Sequence, residues 1–207
     1  MTIQQLNKEL GNIDLYLLDQ ILKGNIDTNA KILDAGCGEG RNLIYFLNNH
    51  YEVHGIDQNP DAIRMLQFIL GANYPQINKG NFHIGTIDQI PYPNETFDWI
   101  ISSAVLHFAQ NQEDFWAGIK EMTRVLKTNG VLFVRMTSDI GLDEMPETEN
   151  GKYNLPDGSY RFLITEELIS QLLTDFAFTP IEPIKSVVVD KMRSMTTLVL
   201  RKNQIQA

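Results

Sequence analysis

Short runs of β-branched and other apolar residues alternate with segments of helical periodicity along most of this chain. The strand-like runs are Lys31–Asp34, Glu52–Asp57, Asn81–Gly85, Phe97–Ser102 and Gly130–Met136. Between them, apolar residues recur at the spacings of an amphipathic helix, as in Asn42–Asn49 and Glu113–Lys127. Strands that alternate with helices form a parallel sheet with right-handed crossovers and helices on both faces. The pattern therefore predicts a doubly wound α/β fold with a mostly parallel sheet.

Capping residues mark the start of two predicted helices. Asn59 follows the second strand and can accept a hydrogen bond from a free backbone amide, while Pro60 suits the first helical turn. Thr165 has the same role before a helix that runs to Phe176. These residues predict where the chain passes from a loop into a helix.

The two ends of the chain depart from the alternation. Residues 1–23 predict a helical prelude, interrupted near Gly11 and Asn12, whose apolar stripe consists of Leu15, Leu18 and Leu22. At the other end, Lys185–Asp190 and Ser194–Arg201 have the pattern of strands, but too few residues separate them for a helical crossover. We therefore predict that they pair as an antiparallel hairpin at the edge of the sheet.

One long segment shows no apolar periodicity. Ser138–Ser159 follows the fifth strand and is rich in Gly, Pro, Asp and Glu. A segment of that length without secondary structure inside a compact domain is typically a functional lid or a disordered loop. The length of 207 residues suits one domain. We predict a single domain over residues 1–207, with 138–159 as a candidate lid.

Composition narrows the range of partners. The chain has 26 acidic and 17 basic residues and a net charge of −9, which disfavours binding to nucleic acid or to an anionic membrane. Its one cysteine excludes an internal disulfide and argues against a cysteine zinc site, and no metal site is predicted. No apolar run is longer than Leu43–Leu47, and the N-terminus lacks the pattern of a signal peptide. We expect a cytoplasmic protein.

The most informative segment joins a strand to a helix through three glycines, over residues 32–42. Gly36, Gly38 and Gly40 let a ligand approach the backbone beside a helix N-terminus. Asp57 ends the next strand, 57 − 38 = 19 residues after Gly38, where a carboxylate can accept hydrogen bonds from both hydroxyls of a ribose. Together these features predict an adenosine-containing ligand at the carboxyl edge of the sheet.

Two neighbouring residues distinguish between adenosine ligands. Arg41 occupies the position of the third glycine in the dinucleotide fingerprint. Asp34 lies in the strand two residues before Gly36, where a carboxylate suits an ammonium group and repels a pyrophosphate. Adenosine joined to an amino acid is S-adenosylmethionine, which is the predicted cofactor. The alternatives are a nicotinamide-dependent oxidoreductase, a glycine turn kept only for packing, and a non-catalytic S-adenosylmethionine-binding protein.

Over residues 30–200 the sequence resembles the Rossmann-like S-adenosylmethionine-dependent methyltransferases. The resemblance implies a seven-stranded sheet that ends in an antiparallel hairpin. It assigns the methionine moiety to Asp34 and the backbone around Gly36 and Gly38, and the ribose to Asp57. In the family, an Asp after the third strand often binds the adenine amino group. This chain has Thr86 there, so its hydroxyl or the Ile87 backbone takes that contact. The predicted cofactor-binding residues are Asp34, Gly36, Cys37, Gly38, Arg41, Asp57, Gln58, Thr86, Ile87 and Ser102.

Five further candidates are interpreted individually. Cys37 is interpreted as packing beside the cofactor, since methyl transfer from a sulfonium needs no enzyme nucleophile. Arg41 contacts either the ligand or a surface acid. Asp88 is interpreted as a surface or helix-capping residue. Tyr160 and Arg161 either face the methyl acceptor or anchor the loop.

Within the family, the sequence is most similar to the small tellurite-resistance-type and thiopurine-type methyltransferases. Segments 40–42, 101–108 and 161–168 carry this similarity. It implies a small-molecule acceptor and leaves open whether the methyl group goes to oxygen, nitrogen, sulfur or a chalcogen oxyanion. His107 is the catalytic candidate: it is either a general base or a polar residue on an exposed helical turn. The protein is expected to be a monomer or a homodimer.

Overall fold

The computed structural model describes residues 1–143 and 148–204, which build one large sheet and a separate two-stranded sheet. The large sheet consists of β1 (Lys31–Ala35), β2 (Glu52–Asp57), β3 (Phe82–Ile84), β4 (Phe97–Ser103), β5 (Leu126–Ser138), β8 (Phe178–Pro180), β9 (Lys185–Val189) and β10 (Arg193–Lys202). Its order is β3-β2-β1-β4-β5-β10, with β8 and β9 both paired to the outer edge of β10. Strands β1 to β5 are parallel, whereas β10 pairs in the antiparallel sense with β5, β8 and β9.

The predicted fold class is confirmed, with one correction to the strand count. The sheet has eight strands rather than the seven that the resemblance implies. β9 pairs with residues 193–197 of β10, whereas β8 pairs with residues 200–202. Because these two strands share one edge of a ten-residue strand, the sheet is seven positions wide. The predicted C-terminal hairpin is β9 with β10.

Six helices cover the two faces of the sheet in the described residues. They are α1 (Ile3–Leu10), α2 (Leu15–Leu22), α3 (Ile44–Asn48), α4 (Pro60–Asn73), α5 (Gln112–Val125) and α6 (Glu166–Asp175). The predicted caps are confirmed: the Asn59 side chain accepts from Asp61 N and the Thr165 side chain accepts from Leu168 N. None of the described helices has both the length and the apolar character needed to cross a bilayer.

The two faces of the sheet carry separate hydrophobic cores because neighbouring residues of a strand point to opposite sides. Leu33 of β1 belongs to the core that includes Phe115 and Leu172, from α5 and α6. Its neighbour Ile32 belongs to the core that includes Leu17 and Phe46, from α2 and α3. Helices on both faces leave the carboxyl ends of the parallel strands open for a ligand.

The N-terminal helices are present, but the predicted apolar stripe is wrong. Leu15 and Leu22 are 76% and 78% exposed, whereas Leu17 is fully buried. The reason is the start of α2: Asp14 caps the helix through Tyr16 N and Leu17 N. Asp14 N also donates to Asn42 Oδ1 at 3.0 Å. This anchoring turns Leu17 inward and leaves the leucines at either end of α2 in solvent.

The segment after the fifth strand contains structure that its composition does not predict. β5 runs to Ser138, and beyond it β6 (Lys152–Asn154) and β7 (Tyr160–Phe162) pair as an antiparallel hairpin. The expectation of a segment without secondary structure is therefore wrong here, because strands of three residues are too short to show a period. Residues 144–147 of the candidate lid lie outside the described residues.

Candidate active site

A cleft of about 410 Å³ opens at the carboxyl ends of β1, β2 and β4, within the size range of small-molecule sites. One wall contains predicted cofactor residues, namely Gly36, Asp57, Gln58, Thr86 and Ile87, together with Gly85 and Asp88. The opposite wall was not predicted from sequence. It consists of Ala104, Val105, Leu106, Phe108, Ala109, Gln110 and Asp114. The cleft therefore lies between the segments that follow β1, β2 and β3 on one side and the segment that follows β4 on the other.

The glycine-rich turn borders this cleft through Gly36. All three of its glycines have positive φ, at +88°, +53° and +85° for Gly36, Gly38 and Gly40. A Cβ on Gly36 would lie 2.3 Å from Val105 Cγ2, and one on Gly40 would lie 2.6 Å from Leu66 Cδ1. A Cβ on Gly38 would meet no described atom within 4 Å. Gly36 and Gly40 therefore serve close packing, while Gly38 leaves open space beside the turn.

Asp57 is held in a fixed orientation by two backbone amides. Its Oδ2 accepts from Gly38 N at 2.8 Å, and its Oδ1 accepts from Asn59 N at 2.8 Å. A carboxylate has about four acceptor positions, so about two remain free. They are available to the two hydroxyls of a ribose, as the sequence predicts.

Asp34 lies behind the turn as a buried carboxyl group without a described hydrogen-bond partner. The residue is 1% exposed, and neither Oδ1 nor Oδ2 has a partner among the described residues. Burial raises the pKa of Asp34 to about 7, the positive charge of Arg41 opposes this rise, and the charge of Asp57 adds to it. Asp34 does not itself line the cleft but lies two residues before Gly36, which does. An orphaned buried carboxyl group at this position fits a ligand that brings an ammonium group.

Three other predicted cofactor residues lie away from the cleft wall. Cys37 is buried against β2, where burial raises the pKa of its thiol, so it packs and is not a nucleophile. Ser102 is fully buried, and its hydroxyl has no partner in the described part of the chain. Arg41 Nη2 donates to Ser103 Oγ at 3.1 Å, and that hydroxyl donates to Asp14 Oδ2 at 3.1 Å. Arg41 thus links the glycine turn to helix α2.

The far end of the cleft is apolar on one side and polar on the other. Ile87 packs towards Gly118 and Leu106, which places a flat apolar surface beside the cleft. Thr86 and Asp88 lie exposed on the same wall. Asp88 is thus a surface residue, as interpreted from sequence, but it also borders the cleft. This end suits an adenine ring with its amino group towards polar side chains.

His107 is buried and not on an exposed helical turn. It lies in a 3₁₀ turn, Leu106–Phe108, and is 7% exposed. Burial lowers the pKa of His107 to about 4, and the positive charges of Arg161, Arg193 and Arg135 contribute. Its Nδ1 has no hydrogen-bond partner among the described residues. The imidazole is therefore neutral at pH 7.

The segment that follows β4 has a feature that the sequence does not reveal. Ala104 adopts a φ of +62°, which is rare for a residue with a Cβ, and its N donates to Arg135 O at 2.7 Å. Strained backbone of this kind concentrates at ligand sites. The sequence signals for this wall are its position after a parallel strand and the resemblance of segment 101–108, and neither indicates the strained backbone. In the described residues, no group of three or more His, Cys, Asp or Glu side chains is arranged to hold a metal ion.

This geometry fits an adenosine ligand with an ammonium group, and comparisons with known proteins show which class of protein the chain resembles. Residues 33–134 match a family model described as a methyltransferase domain. The probable S-adenosyl-L-methionine-dependent methyltransferase TehB of Haemophilus influenzae is 31% identical over 125 residues, which cover 59% of this chain and 42% of that protein. Ajmaline N-methyltransferase of Rauvolfia serpentina is 27% identical over 104 residues, 50% of this chain and 34% of that protein.

A solved structure extends the similarity to nearly the whole fold. The 1,6-didemethyltoxoflavin-N1-methyltransferase of Burkholderia thailandensis, with bound S-adenosylhomocysteine, superposes with a TM-score of 0.69. The match covers 97% of this chain and 82% of that one at 17% identity, which supports the fold alone. Residues 33–134 therefore match a methyltransferase domain, and the chain resembles the Rossmann-like S-adenosylmethionine-dependent methyltransferases of the TehB type. The family resemblance found in the sequence and the predicted cofactor, S-adenosylmethionine, are confirmed. The chain spans less than half the length of the two curated relatives.

Proposed function

We propose that this protein transfers the methyl group of S-adenosylmethionine to a small-molecule acceptor. The observation that carries the proposal is the pairing of Asp34 with Asp57: one carboxyl is buried and unpartnered, the other is fixed by two amides. The first fits an ammonium group and the second fits a ribose. The cofactor supplies a sulfonium-activated methyl group, whose C–S bonding pair returns to sulfur as the acceptor forms its bond to carbon.

The residues of the cleft act by binding and alignment. Asp57 and the neighbouring Gln58 hold the ribose edge, Asp34 neutralises the ammonium group, and Ile87 packs against the adenine ring. An acceptor atom held in line with the methyl group at about 3–3.5 Å needs little further assistance, because alignment supplies much of the acceleration. The wall from Ala104 to Phe108 excludes water from the space between the acceptor atom and the methyl group.

His107 is proposed to contact the acceptor, but as a hydrogen-bonding group rather than a strong base. Its lowered pKa, about 4, makes the neutral imidazole a weak proton acceptor at pH 7. An acceptor that is already anionic at this pH needs no base. This reading favours a carboxylate, a thiolate or a chalcogen oxyanion over an amine or an alcohol.

The hairpin β6–β7 is proposed to cover the acceptor end of the cleft. Lys152 Nζ donates to Gln110 Oε1 at 3.1 Å, and the Arg161 guanidinium lies 4.8 Å from the centre of the Phe108 ring. Both partners line the cleft. Amide hydrogen exchange in residues 152–162 should slow when S-adenosylhomocysteine and an acceptor bind together. Equal exchange in the free and the bound protein would argue against a cover.

The decisive experiment is transfer of a labelled methyl group to panels of thiols, phenols, amines, carboxylates and chalcogen oxyanions. Transfer to one panel confirms an enzyme and names its acceptor atom, whereas cofactor binding without transfer to any panel favours a non-catalytic binding protein. Calorimetry with S-adenosylhomocysteine and NAD tests the cofactor separately, and tighter binding of NAD would overturn the proposal. The single domain, the cytoplasmic location, the monomer or homodimer, and the absence of a nucleic-acid or membrane partner stay predictions.

A further inference from the structure

Three arginines from different strands lie near the segment that follows β4. Arg135 lies opposite Ser103 in the β4–β5 register, next to the wall of the cleft. Arg161 of β7 stacks over Phe108 at 4.8 Å. Arg193 begins β10 and precedes Ser194, which pairs with the last residue of β5. The backbone O of Arg135 accepts from Ala104 N at 2.7 Å, and the ring centres of Phe108 and His107 lie 4.5 Å apart. Arg135 and Arg161 therefore both adjoin the wall that holds His107, and the charge of Arg193 also acts on that imidazole.

This cluster has more positive charge than its carboxylates balance. Arg135 Nη1 lies 3.4 Å from Asp14 Oδ2, and Arg193 Nη1 lies 3.8 Å from Asp157 Oδ2. Arg161 donates to the carbonyl of its neighbour Tyr160 and forms no ion pair with a described residue. Three guanidinium groups thus face two carboxylates, in a chain whose net charge is −9.

Two buried polar atoms in or next to this wall lack partners. The Nε of Arg135 and the Nδ1 of His107 are both buried and without a hydrogen-bond partner among the described residues. His107 is more than nine-tenths buried. Buried polar groups are nearly always hydrogen-bonded, so orphaned ones at a charged cluster mark a place where a ligand supplies the missing partner.

We propose that Arg135, Arg161 and Arg193 bind the anionic group of the methyl acceptor, which is a small molecule with a carboxylate or phosphate. Guanidinium groups match such oxyanions through paired, charge-assisted hydrogen bonds. The stacking of Arg161 on Phe108 connects this anion site to the cofactor cleft, because Phe108 lines that cleft. The inference rests on the proposed function, since it concerns the acceptor of the same reaction.

The test uses the whole chain saturated with S-adenosylhomocysteine and three probes: benzoate, inorganic phosphate and benzamide. Nitrogen-detected NMR follows the Nε–H signals of the arginines. Benzoate, phosphate or both should bind saturably and shift the signals of Arg135, Arg161 and Arg193, and the probe that binds more tightly identifies the oxyanion. Benzamide has the shape of benzoate without its charge and should not bind.

Variants at the two more accessible arginines test the site. Arg161→Gln and Arg193→Gln should each weaken binding of the anion about tenfold or more, through loss of a charged hydrogen bond. Arg161→Lys should retain part of the affinity, because it keeps the charge without the planar fork. Arg64→Gln is the control, since Arg64 lies on the exposed surface of α4 and pairs with Asp61.

The outcomes separate this inference from the proposed function. Failure to bind S-adenosylhomocysteine would overturn the proposed function and with it the anion site. Normal cofactor binding without saturable binding of benzoate or phosphate would overturn the anion site alone. So would anion binding that is unchanged in both Gln variants, or benzamide binding as tight as that of benzoate. A thermal unfolding curve of each variant shows that a loss of binding is not a loss of fold.

Discussion

The two ends of the cleft are built in different ways. The cofactor end comes mainly from the stretch between β1 and the end of β2, together with the few residues that follow β3, and uses backbone amides, glycines and two carboxyl groups. The acceptor end comes from the turn after β4 together with β5, β7 and β10, and uses long side chains. The first end is defined by local spacing in the sequence, whereas the second exists only after distant strands have paired.

The two ends also differ in charge. Asp34 and Asp57 make the cofactor end acidic, while three arginines make the acceptor end basic. S-adenosylmethionine carries positive charge on its ammonium and sulfonium groups, so an acidic site suits it. An anionic acceptor suits the basic end. Transfer of the methyl group would lower the positive charge of the cofactor and the negative charge of the acceptor. A water-poor cleft strengthens electrostatic interactions and therefore favours this neutralisation.

The largest expected effect comes from adding one carbon to the cofactor end. In Gly36→Ala the new Cβ meets Val105 at 2.3 Å on a backbone of positive φ. Strain and overpacking together should lower the free energy of unfolding by about 2–5 kcal/mol. Gly38→Ala is the matched control: it has the positive φ without the clash, so about 1–2 kcal/mol is expected. Urea unfolding measures the free energy of unfolding of both variants. Equal losses of this free energy would show that packing of Gly36 against Val105 is unimportant.

The next effect concerns the ribose carboxylate. Asp57→Ala should weaken S-adenosylhomocysteine binding by about 1.5–3 kcal/mol, because charged hydrogen bonds to the ribose are lost. Calorimetry measures this change. Asp61→Ala, on the exposed surface of α4, removes a carboxylate without touching the cleft and should leave affinity unchanged. If the affinity of the Asp57 variant were also unchanged, the carboxylate at the end of β2 would be misassigned.

These two predictions concern the part of the molecule that sequence could foresee. Strand–glycine–helix spacing identifies the turn, because three glycines and an acid 19 residues later constrain the backbone locally. The capped starts of α4 and α6 were predictable for the same reason. Each of these signals involves residues that are close in the chain, so no knowledge of tertiary packing is needed.

The parts that sequence missed depend on tertiary contacts. Leu17 is buried in place of Leu15 because Asp14 is anchored by Asn42 and Ser103, which lie far along the chain. Arg135 lies beside the cleft only because β4 and β5 pair in one register. The hairpin β6–β7 is too short to produce a periodic pattern. Nothing local in the sequence encodes these arrangements.

A third prediction concerns the pH dependence of cofactor binding, which the Asp34 carboxyl group should control. The pKa of Asp34 in the free protein is raised to about 7, and a bound ammonium group favours its charged form. Cofactor affinity should therefore fall by up to about tenfold per pH unit as the pH drops below 7 and stay constant above it. Calorimetry from pH 5 to pH 8 tests this, and Asp34→Asn should abolish the dependence. A flat profile in the parent protein would contradict the assignment.

The same raised pKa predicts the stability of the free protein. Since the folded state holds the Asp34 proton up to about pH 7 and the unfolded state loses it near 3.8, Asp34 favours folding most at low pH. That contribution is lost as the pH rises through 7. Asp34→Asn should therefore raise the unfolding free energy more at pH 8 than at pH 5. If Asp34→Asn raised the free energy of unfolding equally at both pH values, the Asp34 carboxyl group would have to be solvated in the folded protein.

The smallest expected effect is at the acceptor end, where His107→Ala should lower the single-turnover rate less than about tenfold. A general base contributes about 10²–10⁴-fold, but a neutral imidazole of pKa about 4 beside an anionic acceptor has no proton to remove. His107→Gln keeps a side chain that can hydrogen-bond and should recover most of the small loss. Rapid-quench measurements with saturating cofactor report the rate, and calorimetry shows that cofactor affinity is retained. A loss above a hundredfold in both variants would identify His107 as the base, and the acceptor would then be an O–H, N–H or S–H group that is protonated at neutral pH.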